Sequence, residues 1–112
     1  MEKLDLYRQH IEEILRGHFH PQTKEPSIEE QLLFDRERDH YQVLRVGWHN
    51  EEEPIYHPVI HIDIKNNKIW IQRDYTEVGT ANELLERGVP KADIVLAFHA
   101  PYKREYTGFA VA

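Results

Sequence analysis

The sequence predicts an α+β fold: a single antiparallel or mixed sheet of four to five strands, packed by an N-terminal helix, a helix at about 77–87 and a short C-terminal helix. Three observations carry this. Residues 4–18 repeat apolar side chains at helical spacing, the stretch from about 30 to 74 alternates in strand period, and the segment 68–98 reads strand, helix, strand. At 112 residues the chain has the size of one domain, 1–112, and 40% hydrophobic with 11% aromatic residues is enough for one modest core.

In the N-terminal helix, Leu4, Tyr7, Ile11, Ile14, Leu15 and His18 fall on one face. Arg8–Glu12 and Glu12–Arg16 are i,i+4 pairs expected on the wet face. Gly17 weakens the end, and Pro21 blocks any continuation. Ser27-Ile-Glu-Glu30 has the form of a capping box, but Ile28, Glu30, Leu32 and Phe34 alternate, which favours a strand at about 30–35. The charged run Asp35–Asp39 reads as a hairpin loop. Tyr41–Trp48 follows as a strand, with Leu44, Val46 and Trp48 on one side and Tyr41, Val43, Arg45 and Gly47 on the other.

After the acidic loop Glu51–Pro54 comes the clearest hairpin. Val59–Lys65 and Lys68–Asp74 flank Asn66-Asn67, two residues that tolerate the positive φ of a type I′ turn. A two-residue loop sets the register: Lys65 faces Lys68, Ile64 faces Ile69, Asp63 faces Trp70, Ile62 faces Ile71 and His61 faces Gln72. Ile60, Ile62, Ile64, Ile69 and Ile71 then form the apolar face, and His61, Asp63, Trp70 and Gln72 the other. Thr80-Ala-Asn-Glu83 is a capping box within the 77–87 helix, with Val78, Ala81, Leu84 and Leu85 pointing inward and Gly88 at the C′ position. Ile94–Phe98 is a strand covered on both sides, so that 69–98 forms a crossover unit. Pro101 opens the short last helix and Gly108 ends it. The apolar residues 109–112 are unusual for a solvated chain end.

Composition removes several functions. Without cysteine there are no disulfides, thiolate metal sites, iron–sulfur clusters or cysteine nucleophiles, and a reducing, cytoplasmic setting is expected. The longest apolar run, Ile94–Phe98, is five residues against about 20 for a membrane span. The charged N-terminus lacks the apolar core of a signal peptide. The net charge is −6, and the whole excess lies in the first 56 residues, with 7 basic and 13 acidic side chains. Weak or no direct DNA binding is therefore expected. The basic pairs Arg36/Arg38 and Lys103/Arg104 sit among Asp35, Glu37, Asp39 and Glu105, which favours ion-paired loops.

Eight histidines invite a metal. His57, His61 and Asp63 share a strand face, yet at ~3.3 Å per residue they spread over roughly 7–14 Å and do not converge unless His18, His20 or His99 joins them. No metal or cofactor is expected. Ser27 is the only serine, and no nucleophile elbow or phosphate-binding loop occurs. No catalytic residue is assigned. The alternative is a small metal-dependent or acid–base hydrolase using the His61/Asp63 face with His57, His99 or Asp74. The sharper feature is apolar: Trp70, opposite the isoleucines, and Tyr102, Tyr106 and Phe109 near the C-terminus. With His61, Asp63, Gln72 and Arg73 these are candidate interface residues. For Trp70 a second core layer beneath the 77–87 helix is an equal alternative.

Long collinear motifs point to one family. His61-Ile-Asp-Ile-Lys65, Lys68-Ile-Trp-Ile-Gln-Arg-Asp74, Ala81-Asn-Glu-Leu84, Gly88-Val-Pro-Lys91, Asp93-Ile-Val-Leu96 and the run Pro101–Ala112 resemble the XisI family, the fdxN element excision controlling factors of cyanobacteria. Tyr7-Arg8, Leu33-Phe-Asp35, Glu37-Arg-Asp39 and Val46-Gly-Trp48 extend the resemblance over essentially the whole chain. It implies an accessory factor that acts with a XisH-type partner and a separate site-specific recombinase in programmed DNA element excision during heterocyst differentiation. It supplies no catalytic residues. A homodimer, formed through the C-terminal segment or the Trp70 face, is expected on the apolar tail and the aromatic residues.

Overall fold

The strand-period stretch between Ile28 and Asp74 folds as a four-stranded antiparallel meander in the computed structural model, which describes residues 2–112. Its strands are β1 (Ile28–Asp35), β2 (His40–Trp48), β3 (Pro54–Lys65) and β4 (Lys68–Asp74). The helix α2 (Thr80–Glu86) leads to β5 (Ile94–Leu96), which adds parallel to β4, so the sheet is mixed and ordered β1-β2-β3-β4-β5. The helix α1 (Lys3–His18) precedes the sheet, and 3₁₀ turns lie at Lys91–Asp93 and Pro101–Tyr106. The α+β expectation holds.

The core lies between the helices and one sheet face. Tyr7, Ile11, Ile14 and Leu15 of α1 pack with Tyr41, Val43, Ile60, Ile62, Ile69 and Ile71, joined by Leu84 of α2, Val89 and Ile94. Burying each isoleucine contributes about 1.5–3 kcal/mol. The expected wet face of α1 is itself partly covered. Glu12 is buried and holds Arg36 at 2.5 Å, while Arg8 reaches Asp39 at 2.8 and 3.1 Å rather than Glu12. The β1–β2 turn thus lies against α1: Arg36 and Asp39 pair with helix residues, while Arg38 pairs with Asp35 inside the turn.

Asn66 and Asn67 adopt φ of 54° and 63°, and the register follows the two-residue loop as far as Ile62 opposite Ile71. A bulge then intervenes between His61 and Ile62. His61 pairs with Arg73, not Gln72, and Gln72 is the extra residue of β4. β1 begins at Ile28, two residues early. β3 begins at Pro54, so the chain after the acidic loop is already strand; β5 ends at Leu96, two residues short.

The helix at 77–87 is shorter than expected because its start is imposed by Asp74. That carboxylate accepts the Thr80 amide (2.6 Å) and hydroxyl (3.0 Å), and also the amide and hydroxyl of Thr76 (2.9 and 2.6 Å). The Thr80 hydroxyl is therefore spent on Asp74 rather than on a capping box, and Val78 lies exposed before the helix. The C-terminal residues dock on their own chain. Ala110 donates to the Ile94 carbonyl at 2.9 Å and bridges Val95, Lys68 Nζ reaches the Ala112 carbonyl at 2.7 Å, and Phe109 packs at the core edge with Lys91 over its ring. Phe109 and Ala110 are thus held by the fold, while Val111 is 52% exposed.

Candidate functional site

The sheet face opposite the core carries the polar site. Cross-strand partners lie on one face, so His40 opposite Asp63, Gln42 opposite His61 and Asp63 opposite Trp70 form a connected patch over β2, β3 and β4. At its centre one carboxylate oxygen is shared. His40 Nδ1 and His61 Nε2 each lie 2.8 Å from Asp63 Oδ1, and Gln72 Nε2 donates to Asp63 Oδ2 at 3.3 Å. The side chains of His40, His61 and Asp63 are 53%, 27% and 16% exposed. Burial pushes the Asp63 carboxyl up, but the hydrogen bonds and charges of His61 and His40 outweigh it and hold the group below the ordinary carboxylate range.

His40 is the residue that sequence reasoning missed. Its signal lies in the β2–β3 register, which places the first residue of β2 opposite Asp63. The other histidines considered lie elsewhere. His57 stacks edge-on with Tyr75 at 6.2 Å, His18 bonds Glu83 at 2.6 Å, the His20 amide serves Glu30, and His99 lies against Phe98. Asp74 is saturated by four hydrogen bonds to Thr76 and Thr80, so its role is structural.

Trp70 does project from the face opposite the isoleucines, but it is only 7% exposed. Its indole N–H donates to the Lys65 carbonyl at 3.0 Å, the Lys65 ammonium lies 4.0 Å above its ring, and the Arg104 guanidinium 5.7 Å away. Arg104 in turn donates to the carbonyls of His99 (3.0 Å) and Ala97 (3.2 Å). Trp70 is therefore second-layer core covered by the 3₁₀ segment 101–106. α2 does not cover it, since Leu84 packs into the cluster on the isoleucine face. As an interface candidate Trp70 is covered by its own chain, whereas Phe109 is only partly buried. Tyr102 and Tyr106, 71% and 81% exposed, stand free, and Arg73 lies 5.1 Å from the Tyr75 ring.

A meander of four antiparallel strands with a parallel fifth, helices on one face and a polar patch on the other, defines the class: a small α+β protein with one open sheet face. The chain belongs to the XisI family, whose model, "XisI protein", matches residues 1–111. It is similar to the crystal structure of a XisI-like protein from Anabaena variabilis at 41% identity and a TM-score of 0.88, covering 99% of this chain and 100% of that one. It is equally similar to the fdxN element excision controlling factor XisI from Anabaena variabilis, at 37% identity and a TM-score of 0.89, with the same coverage. A comparison with curated proteins finds no match.

Proposed function

We propose that this protein is an accessory, regulatory binding module of programmed DNA element excision, acting as a homodimer with a XisH-type partner and, through it, with a site-specific recombinase in the cytoplasm. The observation that carries this reading is the full-length likeness to an fdxN element excision controlling factor. The net charge of −6 suits a protein partner better than a phosphate backbone, and an acidic surface steers a basic partner onto it. The two-fold contact is assigned to the free aromatics Tyr102 and Tyr106, and the contact with the partner to the open-face residues His61, Asp63 and Gln72. Tyrosines supply large, rigid contact area of the kind found at interface centres.

The test is co-purification of the tagged protein with the XisH-type protein of the same genome. A stoichiometric complex is expected, and Asp63→Ala should weaken it by about tenfold or more, the scale of one interface anchor. Failure of the two proteins to associate at micromolar concentration, with both folded, overturns the reading.

A further inference from the structure

We propose that His40, His61 and Asp63 form a binding site for one divalent transition-metal ion of the zinc type, a property independent of the excision reading. Three donors of the right chemistry converge: two imidazole nitrogens and a carboxylate oxygen, all within 4.8 Å of one another. Zinc bonds of about 2.0–2.2 Å to such ligands separate them by about 3.3 Å. The metal-free distances of 2.8 Å from each ring nitrogen to Asp63 Oδ1 lie close to that spacing, so small side-chain rotations admit an ion.

The site is built in three ways. A single strand spreads its side chains too widely to chelate, but β2 brings His40 in from the side, directly opposite Asp63. The bulge at His61 leaves Gln72 as an extra residue, and its amide holds Asp63 Oδ2, which leaves Oδ1 for the ion. Asp63 and His61 are largely enclosed while His40 sits at the rim, so the remaining coordination positions open to water, as in sites with three protein ligands. Two imidazoles with one carboxylate select zinc, cobalt, nickel or ferrous iron over calcium and magnesium, which take oxygen ligands.

The experiment uses the full chain. Zn²⁺ is titrated by calorimetry in a non-chelating buffer, and Co²⁺ is followed by its visible absorption. One equivalent is expected to bind with micromolar or tighter affinity and to raise the melting temperature. His40→Ala should weaken binding at least tenfold without unfolding the chain, because His40 is half exposed. Gln72→Ala should weaken it by about tenfold, as loss of an orienting partner does. His57→Ala should leave it unchanged. Absence of stoichiometric binding at about 100 μM Zn²⁺, a hundredfold above a micromolar Kd, overturns the site, as does binding that survives His40→Ala and falls with His57→Ala.

Discussion

Asp63 and its neighbour Ile62 point to opposite faces of β3, and their substitutions should separate the two faces energetically. Ile62 is fully buried among Tyr7, Ile11 and the sheet isoleucines, so Ile62→Ala should leave a cavity and cost about 2–5 kcal/mol by chemical denaturation. From the sequence alone Asp63 looks like an exposed residue whose loss falls within about 0.5 kcal/mol. The structure changes that expectation: its carboxylate accepts from His40, His61 and Gln72 and is mostly covered. Asp63→Ala should cost about 1–3 kcal/mol, below Ile62→Ala, since both histidines retain access to water. Equal unfolding midpoints for Asp63→Ala and the parent would refute the network. Gly47 is the other demanding residue. At φ of 143°, an added Cβ would lie 2.0 Å from the Ser27 carbonyl oxygen and 2.8 Å from Ile28 Cα, backbone that the Trp48 amide also holds at 3.1 Å. Gly47→Ala should destabilise by about 1–3 kcal/mol or more, because β1 must move away from β2 to accept it. A thermal melt within 1 °C of the parent, where about 1 kcal/mol shifts Tm by several degrees, would contradict this.

At the level of elements, the segment joining β4 to α2 depends on one carboxylate. Burial raises the Asp74 carboxyl, yet four hydrogen bonds from Thr76 and Thr80 bring it below its ordinary value of 3.8. A depressed folded-state value means the unfolded chain binds the proton more readily. The stabilisation is therefore complete above the unfolded value, near pH 4 and higher, and is lost as pH falls through the folded value. Asp74→Ala should cost about 1–2 kcal/mol at pH 7, in the range of a lost helix cap, and the difference from the parent should shrink below about pH 4 in urea melts. A difference constant with pH would place the stabilisation elsewhere. The same segment shows what was legible. The 3.6-residue period of α1 and the Asn66-Asn67 turn were sufficient for α1 and for the register from Lys65 to Ile62, because both depend on local backbone chemistry. The bulge at His61 was not legible, since neither strand carries a glycine or other local mark there. Nor was the start of α2, because its cap comes from Asp74, six residues before Thr80. His61, Asp63 and Gln72 were correctly grouped on one face from alternation alone, but His40 required the pairing of β2 with β3, a contact 23 residues apart. Trp70 was placed on the correct face, yet its cover, Arg104, comes from 34 residues downstream and is held by backbone carbonyls that no side-chain pattern announces.

For the whole molecule, charge and the free aromatics decide the expected associations. With 20 acidic and 14 basic side chains, and with Arg8, Arg36, Arg38, Arg45 and Arg87 engaged by carboxylates, the net charge of −6 opposes the approach of a duplex. Duplex binding at ~0.15 M salt should be weaker than about 1 μM, and nanomolar binding with a steep salt slope would contradict it. Self-association is the remaining expectation, and burial narrows where it can occur. Trp70 lies beneath Arg104, and Phe109, partly buried, docks with Ala110 against β5, which leaves Tyr102 and Tyr106 as the most exposed aromatics of the C-terminal segment. Tyr102 and Tyr106 lie four residues apart on the 3₁₀ segment 101–106, on its solvent side, while Arg104 between them turns inward to Trp70. A two-fold contact would bring this short segment against its own copy, the self-complementary arrangement of the commonest oligomers. Sedimentation at micromolar concentration should then show twice the 13.4 kDa chain mass, and Tyr102→Ala/Tyr106→Ala should return it to a folded monomer with an unchanged far-UV circular-dichroism spectrum. A parent protein that sediments as a monomer removes the homodimer. A dimer that persists in the double variant moves the contact away from the 3₁₀ segment.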